Sequence, residues 1–234
     1  MKKKATLQFG KHNIGRFHFL LLTFVLIIFF RPFLDVLILT DIWVNLCTDI
    51  FLYLALMSGL YAMSDQTVQL RVSWVLIGIV MILGLLQHFL HSPGVEKIRL
   101  ALTVVYLIQI MVMIWTYIEK EKKNQVKIDL IMAAACTYIL IGMIWAYAYF
   151  FVESYHPGSF KMPEHLGNEL SSFNYYSFVT LTTVGYGDIQ ALTRPARTLS
   201  ILEAIVGQLY LVIMISRLVG LHASQIVSET KNTN

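Results

Sequence analysis

Charge is what this chain has least of: Asp, Glu, Lys and Arg make up 14% of its 234 residues, against 57% hydrophobic ones, and mean hydropathy is +0.65. A water-soluble domain of this size carries roughly a quarter charged residues, so most of the surface faces something other than water. Cysteine is nearly absent too. Cys47 and Cys136 both lie inside apolar runs, which fits small packing residues in helices and argues against a disulfide framework or a cysteine metal site. Net charge is +4, yet there is no basic patch or motif for nucleic acid. The basic residues instead gather at the ends of apolar runs, where anionic lipid headgroups would meet them. Metal-ligand spacings, nucleophile elbows and phosphate loops are missing, so neither catalytic residues nor a cofactor is expected.

What is present is apolar length. A membrane helix needs about 20 mostly apolar residues, and six segments come close: 16–38, 43–64, 72–90, 98–118, 127–151 and 196–220. The first two are the least regular, because Arg31-Pro32 interrupts the run and Asp35, Asp41 and Asp49 follow. Arg31 and Asp35 are four apart and can pair on one helix face, or with Asp41 or Asp49; snorkelling at an interface is the other reading. His88 to Gly94 reads as a turn after the third span, and Glu119 to Asn124 as a solvated charge run after the fourth. The basic start precedes an apolar run with no small-residue cleavage site, so a retained first helix is expected rather than a signal peptide. Lys2, Lys3, Lys4, Lys11 and Arg16 share a side with Lys120, Lys122, Lys123 and Lys127 when four spans separate them. The positive-inside rule makes that side the cytoplasm. The expectation is a multi-pass protein of the plasma membrane with both termini cytoplasmic.

Between the fifth and sixth spans, Glu153 to Leu170 is too charged to cross the bilayer. Ser171 to Thr182 is then long enough for a re-entrant half-helix, with Ser171 or Ser172 as its N-cap. Its C-terminus would direct a partial negative charge at the centre of a pore. Directly after it stand Thr183-Val184-Gly185-Tyr186-Gly187-Asp188. Glycines at alternate positions admit backbone angles that a Cβ disfavours, and the run TVGYG is the carbonyl-lined filter sequence of potassium channels. The order outer helix, short helix, TVGYGD, inner helix resembles the pore domain of the tetrameric potassium-channel family, including its small bacterial and six-helix branches. The resemblance covers about 130 to 222 and is densest from Tyr175 to Asp188.

That resemblance implies an all-α membrane protein with six transmembrane helices, a re-entrant pore helix and a filter loop, assembled as a homotetramer among membrane lipids. Its parts would be a cytoplasmic N-terminus (1–15), a four-helix S1–S4-like domain (16–118), a pore domain (127–222) and a short cytoplasmic tail (223–234). It implies a passive, potassium-selective channel. Thr183, Val184, Gly185, Tyr186 and Gly187 would form the ion-coordinating filter for K+, supported by Tyr176, Val179 and Asp188. Val184 and Tyr186 would turn their side chains away from the ion, into packing that holds the loop open. Some bacterial members pair a pore-helix glutamate with the acid after the filter. Here Val179 takes that place, and Tyr176 can hydrogen-bond Asp188 instead, or be an interfacial tyrosine beside a solvated acid. Gly207 stands where members often have an inner-helix hinge glycine; close helix packing is the alternative. Gln208, Leu211, Val212, Ile215 and Val219 share one broad face. Gln208 would line a cavity and Ile215 and Val219 an apolar gate, unless that face packs on the outer helix.

A voltage sensor needs basic residues at every third position, since each charge crossing 100 mV yields only about 2.3 kcal/mol. Residues 98–118 hold Arg99 at the outer end and no basic residue beyond it, so steep voltage gating is not expected. Leu221 to Asn234 is polar, without an expected fold, and too short for a soluble regulatory domain. Lipid, tension, pH, a partner or an often-open pore remain as controls. His88, His91, His156 and His165 are candidates for proton sensing, although scattered loop histidines usually sense nothing. Two other functions stay open: a non-selective cation channel, against which Tyr186 argues, and a potassium-transport or sensory subunit that needs a partner.

Overall fold

The computed structural model describes residues 8–9, 12–13, 16–37, 41–62, 67–90, 93–120, 128–163 and 170–232, with side-chain surroundings for 17–28, 49–61, 70–87, 94–119, 128–163 and 170–223. Among them are seven helices: α1 (Arg16–Leu37), α2 (Asp41–Ala62), α3 (Thr67–Leu90), α4 (Pro93–Lys120), α5 (Ile128–Tyr155), α6 (Leu170–Leu181) and α7 (Arg194–Asn232). Two antiparallel pairs of two-residue strands join them, β1 (Gln8–Phe9) with β2 (His12–Asn13) and β3 (Phe160–Lys161) with β4 (Gln190–Ala191). The helical expectation is met apart from these short ladders. Four helices are long and apolar enough to cross a membrane, over Leu70–Gln87, Gly94–Glu119, Ile128–Tyr155 and Arg194–Ala223. The described parts of α1 and α2 hold shorter apolar stretches, Phe17–Ile28 and Asp49–Tyr61.

Helix ends follow local chemistry. Helix α3 continues through His88 to Leu90 and α4 opens on Pro93, so the break expected at 88–94 is narrower. Proline suits a first helical position, where its missing N–H would have had no partner. Helix α7 does not stop near residue 220 but runs on to Asn232, correcting the expectation of a tail without a fold. Leu221 to Asn232 contains neither glycine nor proline, and Leu, Ala, Gln, Glu and Lys are good helix formers. At 39 residues, the helix is about 58 Å long, well beyond a bilayer's hydrocarbon core.

The chain divides into two compact units, Met1–Glu121 with Lys127–Cys136, and Lys122–Val126 with Thr137–Asn234. In the first, Leu20, Phe24, Leu56, Ile77, Tyr106, Leu107 and Ile110 are fully buried. Polar ties cross between its helices: Thr23 and Ser58 hydroxyls are 2.8 Å apart, Tyr106 Oη donates to the Leu56 carbonyl at 2.6 Å, and Gln109 Nε2 donates to Ser73 Oγ at 2.9 Å. Such bonds hold helices together where lipid removes the hydrophobic drive between them. Arg99 Nη1 donates to Asp49 Oδ1 at 2.6 Å, tying α4 to α2. The side chains of Arg31, Asp35, Asp41 and Cys47 lie outside the described residues. Cys136 is buried, its thiol 3.7 Å from the Phe17 carbonyl.

The second unit is built on Ala146, Tyr149, Phe160, Phe173, Ile189 and Ala196. Buried Glu153 accepts from the Gly158 and Phe160 amides at 2.8 and 3.0 Å, which turns the chain after α5 into β3. Pairing of β3 with β4 then fixes the segment that leads into α7. Helix α6 sits against glycines on both neighbours. A Cβ on Gly142 of α5 would lie 2.8 Å from the Phe178 ring, and one on Gly207 of α7 would lie 2.6 Å from Leu181 Cδ1 and 2.9 Å from the Leu181 carbonyl. The close seat of α6 therefore depends on two missing methyl groups.

Candidate functional site: the loop after the short helix

Helix α6 begins at Leu170, so Ser171 and Ser172 fall within its first turn rather than at its cap. Its last carbonyls suspend the loop that follows. The Phe178 carbonyl accepts from Thr182 N at 3.0 Å, that of Thr180 from Thr183 N at 2.9 Å, and that of Val179 from Val184 N at 3.0 Å and Gly185 N at 3.3 Å. Val179 thus supports the loop through its backbone carbonyl.

The loop backbone alternates in handedness. Thr183, Gly185 and Gly187 have φ of 60°, 57° and 78°, while Val184 and Tyr186 between them do not have positive φ. Glycine takes the left-handed region freely, and Thr183 holds it at a cost of about 1 kcal/mol. An alternating sign of φ breaks the strand pattern, in which successive carbonyls point opposite ways, and lets them face one side. Among the described residues, no group donates a hydrogen bond to the carbonyls of Thr183, Val184, Gly185 or Tyr186. Gly187 differs, because its carbonyl accepts from Gln190 Nε2 at 2.9 Å. Four consecutive oxygens are available to a ligand.

The far end of the loop is anchored as well. Tyr175 Oη donates to Asp188 Oδ2 at 2.7 Å. This corrects the expected Tyr176–Asp188 bond by one residue: successive residues on a helix are about 100° apart, and Tyr175 is the one on the exposed side. The hydrogen bond to the Asp188 carboxylate raises the Tyr175 phenol from 10.0 to about 12, and burial and the nearby Asp188 and Tyr186 charges act in the same direction. Tyr176 instead meets Ser200 Oγ at 2.7 Å and packs edge-on against Tyr149 and Phe160. Val184 and Tyr186 are 53% and 71% exposed, so the packing expected around them is not supplied by their own chain.

Behind α6 is a polar cluster the sequence reading missed. Glu203 of α7 accepts from Tyr149 Oη at 2.5 Å and meets the Ser177 hydroxyl, which also bonds the Gly142 carbonyl at 2.7 Å. The signal was there, because Glu203 is the sole acid from Arg194 to Ala223 and an ionisable residue in such a run marks function by default. Gly142 gave no comparable signal. On α7, Gly207 is buried, whereas Gln208, Val212, Ile215 and Val219 are exposed and Leu211 is half-buried. The face expected to line a cavity or pack on the outer helix is left uncovered by this chain. His88 side-chain surroundings, and all of His91 and His165, lie outside the described residues. His156 serves the turn after α5, its carbonyl accepting from Ser159.

Residues 134–222 match the family model described as "Ion channel". No curated protein and no solved structure matches the chain. The matched residues run from within α5 through α6 and the loop into α7, so it is this stretch of the chain that is similar to the ion channel family.

Proposed function

We propose that four copies of this chain surround one axis and conduct K+ passively and selectively across the plasma membrane. The observation that carries this reading is the row of four unengaged carbonyls, Thr183 to Tyr186, on a backbone of alternating handedness. Four such rows facing an axis replace the water shell of a dehydrated cation. Loop irregularity at membrane depth is tolerated where protein or a water-filled cavity surrounds it, and neighbouring copies supply that surround. They would also cover Val184, Tyr186 and the apolar residues Ile201, Leu202, Ile205 and Leu209 of α7, which are exposed in one chain. Thr183 would add its hydroxyl at the inner end. Asp188 and Tyr175 brace the outer end, and Ile215 and Val219 narrow the inner one.

In this reading α1 to α5 and α7 supply six spans and α6 is re-entrant, with both termini cytoplasmic. Arg99, paired with Asp49, supplies at most one gating charge per copy, so opening is not steeply driven by voltage. Purified protein in planar bilayers with opposed K+ and Na+ gradients tests the proposal. A reversal potential near that of K+ is expected, together with a particle mass of four chains. A reversal potential near zero would mean a non-selective cation pathway. Silence of a well-folded tetramer would mean a subunit that needs a partner.

A further inference from the structure

Glu203 is fully buried, as are Tyr149 and Ser177 beside it. Among the described residues no cation pairs with it. Both carboxyl oxygens are engaged, Oε2 by Tyr149 Oη and Oε1 by Ser177 Oγ. Counting protons decides the state of the acid. Ser177 has one hydroxyl proton, yet its oxygen is within bonding distance of both Glu203 Oε1 and the Gly142 carbonyl, and a carbonyl only accepts. With an ionised carboxylate, either placement of that proton leaves two oxygens in close contact with nothing between them. A proton on Oε1 removes the conflict. The acid then donates to Ser177, Ser177 donates to Gly142, and Tyr149 donates to Oε2. Every polar group is satisfied and no unpaired charge is buried, the arrangement a dry interior favours.

We infer that Glu203 is a neutral carboxylic acid that latches α6 to α5 and α7, and so acts as a positioning residue for the carbonyls of Thr183 to Tyr186. The path is short. Ser177 stands two residues before Val179, whose carbonyl carries the Val184 and Gly185 amides. The effect on conduction rests on the channel function proposed above; the state of the acid does not.

Infrared difference spectra of purified wild type against Glu203→Gln at neutral pH read the acid directly. A protonated-carboxyl C=O band that vanishes in the variant is expected, and a carboxylate signal in its place overturns the inference. This readout needs no conduction, so a silent protein that shows the band sinks the channel reading alone. In planar bilayers Glu203→Gln, whose amide keeps a donor and an acceptor, retains the wild-type reversal potential and open fraction. Glu203→Ala and Ser177→Ala reduce the open fraction by about tenfold, the scale of one lost buried hydrogen bond. A glutamine variant as impaired as the alanine one, or alanine variants indistinguishable from wild type, overturns the positioning role. Should the alanine variants fail to assemble, Tyr149→Phe removes one donor without losing bulk in the ring. It is expected to shift the carboxyl band and reduce the open fraction, and no change in either refutes the latch.

Discussion

Replacing Gly207 by alanine adds one methyl group where α7 meets the end of α6. That carbon would stand 2.6 Å from Leu181 Cδ1 and 2.9 Å from the Leu181 carbonyl, whereas ordinary contact begins at 3.4 Å. The leucine methyl can swing aside by a rotamer change, but the carbonyl belongs to the backbone just before Thr182 and must retreat by about 0.5 Å. Overpacking of this kind costs about 1–3 kcal/mol, and alanine returns up to about 1 kcal/mol of helix propensity over glycine. The net expectation is a loss of about 0–2 kcal/mol of stability. Gly220, on the same helix with nothing within 4 Å of its added Cβ, is the internal control: Gly220→Ala should gain stability or leave it unchanged. Thermal unfolding of the purified protein in detergent, followed by circular dichroism, measures the difference, and reversal potentials in bilayers report whether the displaced carbonyl disturbs ion discrimination. A purely hinge-forming glycine would behave differently, changing opening kinetics while both variants gain helix stability alike. Gly207→Ala as stable and as selective as Gly220→Ala would refute the packing role.

Two further outcomes follow from the geometry. Tyr175→Phe removes one hydrogen bond from Asp188 at the outer end of the loop and should shorten open times without changing assembly. In the wild type the Tyr175 phenol is raised from 10.0 to about 12, so its contribution is fully present below pH 10 and is lost as pH rises through 12, which a tyrosinate absorbance titration against the phenylalanine variant would follow. Arg99→Gln removes the cation paired with Asp49 in a mostly buried site and should cost about 3 kcal/mol, most of it recovered when Asp49→Asn is added; the current–voltage relation should remain shallow throughout, and a steep one would refute the single-charge limit.

The loop and its neighbours were legible because their chemistry is local. Two glycines at alternate positions announce the left-handed backbone at 185 and 187, and apolar runs announce the long helices. Thr183 was harder, since threonine does not advertise a positive φ and holds it here against its own preference. The exchange of Tyr175 for Tyr176 was invisible for a related reason: adjacent tyrosines differ only in which side of α6 they present, and the packing of Tyr149 and Phe160 decides that. Gly142 looked like any small residue in an apolar helix until α6 was set against it. Glu203 was readable as an oddity in its run, but its partners come from 26 and 54 residues away. Helix α7 runs past Gly220, where its expected end lay, because the residues after it are helix formers with no proline or second glycine among them, and polarity alone does not end a helix.

Bareness at Val184 and Tyr186 has a bearing on dosage. A solitary copy leaves unfinished the very stretch that would discriminate between ions, so in the proposed assembly that geometry is completed by company and not by folding alone. Mass action then governs output: thinly populated membranes would hold sound but idle chains, and current would climb more steeply than the amount of protein until rings are full.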